Sequence, residues 1–224
     1  VAMLMHAEHL EETFGVGPHT VSVPRLRAAE GVTPETYPHL VSDDAFRRIV
    51  AVLRLSVPYA GMILSTREEP DFRDQVIDLG ISQISAGSST GVGGYYRDHA
   101  GLTAEAGEDK PQFEVGDHRS PQEVLKSLCA KGYLPSYCTA CYREGRTGDR
   151  FMALAKSGRI ANICGPNAIV TFKEYLQDYG DDELKEIGER AIRENLAQIP
   201  RPAARRLTEE MLARIEKGER DLRI

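Results

Sequence analysis

The stretch GMILSTREEPDFRDQVIDLGISQIS, residues 61–85, decides the fold. Gly61 to Ser65 is a short apolar run ending in polar residues, as expected of a strand buried on both faces of a parallel sheet. Pro70 then falls in the first turn of a helix whose inner face is Phe72, Val76, Ile77 and Leu79, and Gly80 stops it. Ile81 to Ser85 reads as the next strand. Upstream, Ser42-Asp43-Asp44 supplies an N-cap for a helix with apolar positions Phe46, Ile49, Val50, Leu53 and Val57. His19 to Val23 is a further β-branched, alternating strand. Leu4 to Phe14 reads as the end of a helix, broken at Gly15-Val16-Gly17-Pro18.

Strand, helix, strand, helix, strand within about seventy residues is βα architecture, with a parallel sheet of either a doubly wound fold or a (β/α) barrel. Three strands do not close a barrel, and the chain begins at Val1 without an initiator Met, so the expectation is a chain that starts inside a longer protein. Polar residues gather just after the second and third strands, at Ser65-Thr66-Arg67-Glu68 and Ser85 to Thr90, the sheet edge where such folds carry their sites. Residues 91–116 are Gly-rich, polar and aperiodic, which predicts a long loop. Gly91-Val92-Gly93-Gly94 within it is no phosphate loop, since no GK[ST] and no helix start follows. Helices are expected over 121–131, 150–156, 168–178, 182–198 and 204–217. The expected division is an α/β part, 1–116, and a mostly helical part, 117–224.

The 224 residues carry 28 Lys plus Arg against 34 Asp plus Glu, a net charge of −6. That leaves no cationic excess for a phosphate backbone, so nucleic acid is not an expected partner. The longest apolar runs, Ile49–Leu53 and Ala60–Leu64, fall far short of the roughly 20 residues that span a bilayer, and no membrane partner is expected. The N-terminus lacks the basic flank and cleavage site of an export signal, so the default compartment is the reducing cytoplasm. There, closely spaced cysteines are more often metal-binding or catalytic than disulfide-bonded.

All four cysteines lie between positions 129 and 164. Cys138-Thr139-Ala140-Cys141 puts two thiolates on one short turn, and Cys164 follows after 22 intervening residues. Three cysteines can bind a 4Fe-4S cluster and leave one iron open, whereas structural zinc takes four protein ligands. The spacing also admits a structural zinc module, with Cys129 or a histidine as fourth ligand, or three buried thiols. Cys129 falls in the apolar pattern Val124, Leu125, Leu128, which favours a core role. Arg143, Arg146, Arg150, Lys156 and Arg159 place cations between the ligands. His19, alone in a strand, reads on its own as a satisfied structural residue.

Taken together, FGVGPHT (14–20), LSTRE (64–68), SAGS (85–88) with Gly93-Gly94-Tyr95, and Cys138-x2-Cys141-x22-Cys164 resemble one family, the radical S-adenosylmethionine tyrosine lyases. The resemblance is strongest in its FeFe-hydrogenase-maturing branch. It covers essentially the whole chain and corresponds to the C-terminal half of such an enzyme. It implies the C-terminal portion of a (β/α)8 barrel followed by an auxiliary-cluster domain. It also implies cleavage of tyrosine to p-cresol and dehydroglycine, the latter yielding CO and cyanide on an auxiliary 4Fe-4S cluster.

By the same resemblance Cys138, Cys141 and Cys164 hold that cluster, and His19 helps bind an additional labile iron attached through free cysteine. Ser85, Ser88 and Ser89 are candidates for contacting the amino-acid substrate, with Arg25 or Arg67 pairing its carboxylate. The implied recipient is a hydrogenase-maturation scaffold protein. The Cys-x3-Cys-x2-Cys triad for S-adenosylmethionine and its own 4Fe-4S cluster is missing from the sequence. The chain alone is therefore expected to be inactive in tyrosine cleavage, with that cluster belonging to an N-terminal half. The thiamine-pathway tyrosine lyase, 2-iminoacetate synthase, shares the strand motifs and is the alternative within the family; the three-cysteine set distinguishes the two.

Overall fold

A computed structural model describes residues 1–101 and 111–224. They group into two compact units, Pro18–Pro121 and Val1–Gly17 with Gln122–Ile224. The division therefore falls at 121/122, not at 116/117, and the N-terminal helix goes with the helical unit.

In the α/β unit, β1 (Thr20–Ser22), β2 (Gly61–Leu64) and β3 (Gln83–Ile84) run parallel in that order, Thr20 opposite Gly61 and Ile63 opposite Gln83. α2 (Asp43–Ser56) starts at Ser42, whose Oγ accepts from the Ala45 N–H at 3.3 Å, while Asp43 and Asp44 meet the positive end of the helix dipole. α3 (Pro70–Val76) continues into a 3-10 turn at Ile77–Leu79. Val21, Met62 and Leu64 of the sheet are buried, as are Phe46, Val50 and Leu53 of α2 and Phe72 and Val76 of α3. Ile49, expected in the buried stripe, is 38% exposed. At 3.6 residues per turn it lies roughly 70° from the centre of the line through Phe46, Val50, Leu53 and Val57. β2 also departs from the expectation of two buried faces: Met62 and Leu64 are buried, Gly61 and Ile63 only partly.

Arg54 closes the N-terminal edge of the sheet. Its Nε and Nη2 donate to the Gly80 carbonyl at 2.9 and 2.7 Å, and its Nη1 donates to the carbonyls of Pro58 and Ala60. Gly80 has φ 105°, and a Cβ there would lie 2.7 Å from Arg54 Cγ, so the turn needs glycine for both conformation and space.

At the opposite edge the Thr66 carbonyl accepts from the amides of Gly116 and Asp117 at 2.8 and 3.0 Å. This seats Asp117 on Arg73, both side chains fully buried, and Arg73 also donates to the Ser85 carbonyl. Arg119 completes the network, donating to Asp117 and Asp74. Burial is the largest single influence on the Asp117 carboxyl and pushes its pKa up. The hydrogen bonds from Arg119 and the charge of Arg73 together outweigh it and hold the group below its ordinary range.

The loop expected over 91–116 is corrected in part, because α4 (Gly94–Ala100) forms within it and a helix does start after Gly91-Val92-Gly93. Local i, i+4 pairing prevails there over a glycine-rich composition. The rest of that expectation, over 102–110, lies outside the described residues.

The second unit consists of α1 (Ala2–Phe14), α5 (Pro121–Ala130, of which Pro121 is counted with the other unit), α6 (Ala140–Arg143), α7 (Gly148–Lys156), α8 (Ala161–Tyr179), α9 (Asp182–Ala197) and α10 (Pro202–Glu216). α8 packs on both α9 and α10. Its Ile169, Phe172 and Leu176 share a core with Leu125, Cys129, Leu184, Ala191 and Ile192, and its Val170 meets Met211 and Ile215. Gly188 lets α9 approach closely: a Cβ there would sit 2.6 Å from Leu176 Cδ1. α8 begins seven residues before the expected Ala168 and runs through Gly165-Pro166. Pro166 lies early enough in the helix to remove one hydrogen bond without ending it.

Replacing Asp117 by Ala leaves the Arg73 guanidinium buried without its counter-charge, at an expected cost of about 3–5 kcal/mol in urea unfolding. Because the folded pKa of Asp117 is depressed, its stabilisation is complete above the unfolded value of about 3.9 and is lost as pH falls through the lower folded value. The variant therefore shows a flatter acid profile than the parent; a loss below about 1 kcal/mol contradicts the assignment.

Candidate metal centre

Three of the four cysteines gather in the helical unit around the start of α8. Cys138 precedes α6; its amide donates to Ser136 Oγ and its Sγ accepts from the Ala140 N–H at 3.4 Å. Cys141 lies within α6, and its carbonyl accepts from the Arg146 amide at 2.8 Å, closing the turn through Gly145 at φ 64°. Cys164 sits on the second turn of α8. All are free thiols, Cys138 and Cys141 half-buried and Cys164 exposed. The Cys164 thiol is nevertheless held above its ordinary pKa, first by the atoms crowding it, then by the fields of Cys141 and Cys138, with Arg146 acting in the opposite sense. The three sulfurs thus lie in one electrostatic neighbourhood.

The segment bearing Cys138 is registered on α8. The Tyr137 amide donates to Thr171 Oγ1 at 3.3 Å, and the Tyr137 ring stacks on Tyr175 at 4.6 Å between centroids. Cys138 also lines a cleft of about 290 Å³ with Tyr137, Arg143, Glu174 and Asp221. The C-terminal residues strap the same region. Asn167, buried three residues after Cys164, donates to the carbonyls of Ile163 and Ile224 and accepts from the Ile224 amide at 2.8 Å. Asp221 pairs with Arg143, and the Leu222 amide donates to Glu174.

Cys129 stands apart. It is 2% exposed in the α8–α9 core, and burial pushes its thiol pKa up to about 12, as the apolar pattern of its helix led one to expect. It is no fourth thiolate for zinc. Among the described residues no group of three or more His, Cys, Asp or Glu side chains is assembled as a site for a single metal ion. The donor set fits an iron-sulfur group on chemistry: three soft thiols, and close to them an Arg146 whose buried Nε and Nη2 have no acceptor.

The remaining candidates lie in the α/β unit, at both edges of its sheet. His19 is exposed at the N-terminal edge, where its carbonyl accepts from the Gly61 amide at 2.7 Å. Ser85, Ser88 and Ser89 are half-buried at the C-terminal edge. Arg25 is already closed by Glu68 and Asp43 and rests over Phe46 and Phe72. Arg67 stacks on Phe113 at 3.8 Å and donates to the Arg25 carbonyl. Sequence reasoning missed α6, the strap at Asn167 and the isolation of Arg146. None has a periodic signal, and the Asn167 contact joins residues 57 apart.

Residues 22–134 match the model of the Biotin and Thiamin Synthesis associated domain. Over 135 residues the chain is 37% identical to 2-iminoacetate synthase of Salmonella typhimurium (strain LT2) and 36% identical to that of Escherichia coli (strain K12). Each match takes 58% of this chain and 33% of the relative. The chain belongs to the Biotin and Thiamin Synthesis associated domain family. Within that class it is similar to HydG, described as a maturase of the [FeFe]-hydrogenase: one crystal structure is 61% identical over all of this chain, with a TM-score of 0.91. HydG from Carboxydothermus hydrogenoformans is 39% identical over 93% of this chain, with a TM-score of 0.69. The chain spans 47% and 42% of these two, about half their length. Among the described residues no helix is long and apolar enough to cross a membrane.

Asn167→Ala removes the buried amide that ties the C-terminal strap to α8, at an expected cost of about 1–3 kcal/mol. Hydrogen exchange at residues 222–224 accelerates with it. Unchanged exchange there shows that the strap is held by other contacts.

Proposed function

We propose that this chain carries the auxiliary-cluster site of a radical S-adenosylmethionine tyrosine lyase that serves FeFe-hydrogenase maturation. The observation that carries the reading is the placement of the Cys138, Cys141 and Cys164 thiols in one neighbourhood, in a chain similar over its whole length to a HydG maturase. In this reading the three thiolates hold a 4Fe-4S group, and the exposed His19 imidazole serves an additional labile iron attached through free cysteine. When bound, that group supplies an open iron position for CO and cyanide. The first unit is then the C-terminal portion of a (β/α)8 barrel and the second the cluster domain.

Tyrosine is the proposed substrate, giving p-cresol and dehydroglycine, the latter the source of CO and cyanide. Ser85, Ser88 and Ser89 are proposed to contact it at the C-terminal edge of the sheet, and Arg67 to meet its carboxylate. Arg25, whose carbonyl accepts from Arg67 and whose guanidinium pairs with Glu68, is the proposed alternative partner for that carboxylate. No Cys-x3-Cys-x2-Cys motif occurs among these 224 residues, so S-adenosylmethionine and its own cluster require thiolates from elsewhere in the enzyme, and this chain alone is expected to make no p-cresol. A cytoplasmic hydrogenase-maturation scaffold protein is the proposed recipient of the product. The identity to 2-iminoacetate synthase favours a second reading, a lyase that releases dehydroglycine without yielding CO or cyanide. Bound CO and cyanide in the complete enzyme decide between the two.

The test is anaerobic reconstitution of the chain with iron and sulfide, measuring iron, zinc and sulfide beside Cys138→Ala. Near-stoichiometric 4Fe-4S, lost in the variant, is the expected result. Zinc without sulfide assigns the thiols to a structural metal and overturns the reading. With free cysteine added to the reconstitution the parent is expected to bind one iron beyond the cube, and His19→Ala to keep the cube and lose only that iron; an unchanged iron count removes His19 from the ligand set.

A further inference from the structure

Five cations lie between Cys141 and the helix turn that presents Cys164, and their side chains are used differently. Arg143 is held by Asp221, and Lys156 by Glu11. Arg150 and Arg159 are exposed to solvent. Arg146 differs from all four: it is half-buried, and its Nε and Nη2 are shielded from solvent without a hydrogen-bond acceptor. These two nitrogens form one edge of the guanidinium, the edge suited to two parallel N–H bonds toward an anion. A buried donor edge with no acceptor carries a desolvation penalty that a native structure normally relieves with a partner.

The backbone places that edge. The Arg146 amide is bonded to the Cys141 carbonyl, so the side chain leaves the loop that closes the helix of Cys141. Arg146 therefore stands beside the Cys141 segment, and among the described residues no carboxylate is bonded to the Nε–Nη2 edge.

We propose that Arg146 donates N–H···S hydrogen bonds from its Nε–Nη2 edge to the sulfurs of the group held by Cys138, Cys141 and Cys164, and so raises its reduction potential. The proposal rests on the cluster reading given above. Arg146 is a positioning and tuning residue. A cationic donor stabilises the more negative, reduced state more than the oxidised one, which moves the potential upward.

The test is an EPR-monitored redox titration of the anaerobically reconstituted chain as parent, Arg146→Lys and Arg146→Met, with iron and sulfide measured for each. Arg146→Gln replaces the Met variant if circular dichroism shows that variant unfolded. The neutral variant is expected to retain iron and sulfide, to titrate at a more negative potential and to show altered g-values, and Lys to recover part of the shift. An identical potential and spectrum in parent and neutral variant overturns the role of Arg146 and leaves the cluster reading intact. A parent chain that binds no sulfide overturns both, so the two failures are distinguishable.

Discussion

The helix Ala161–Tyr179 is the constraint on which the site depends. Ile169, Val170, Phe172 and Leu176 are buried along it, each contributing about 1.5–3 kcal/mol, so its position is set by packing against α9 and α10. Cys164 rides on its second turn. Cys138 comes from a distant loop, yet Tyr137 beside it is fastened to the same helix through Thr171 and Tyr175. A hydrophobic core thus fixes the Cys164 thiol directly and registers the Cys138 segment on the same helix.

Electrostatics acts on that frame. Burial first, and then the fields of Cys141 and Cys138, hold the Cys164 thiol above its ordinary range against the opposing charge of Arg146, while Arg143 and Lys156 are taken by carboxylates. Charge is handled differently in the α/β unit, where Arg73, Asp117 and Arg119 compensate one another internally and Arg25 is consumed by Glu68. Those groups hold the C-terminal edge of the sheet in shape, beside Arg67 and the half-buried Ser85, Ser88 and Ser89.

The α/β half was legible because its signals are local. Ser42 caps α2, Pro70 opens α3 and Gly80 ends the turn after it, and each follows from the chemistry of one residue and its neighbours. The cysteine spacing was legible for the same reason. What escaped depends on contacts distant in sequence. The helix expected from residue 168 begins instead at Ala161 and runs through Gly165-Pro166, held by the packing of its buried residues. The pairing of Arg25 with Glu68, 43 residues away, is equally invisible to a local pattern. The isolation of Arg146 is a property of what its neighbours bond to, and no sequence pattern encodes it.

The central claim is that three protein thiolates hold an iron-sulfur cube with one iron left open. The most direct measurement is the EPR spectrum of the reduced, reconstituted chain before and after addition of cyanide, a ligand that binds only an iron with a free coordination position. The account predicts a 4Fe-4S signal whose g-values change on cyanide addition. A signal indifferent to cyanide, with all four irons held by the protein, contradicts it.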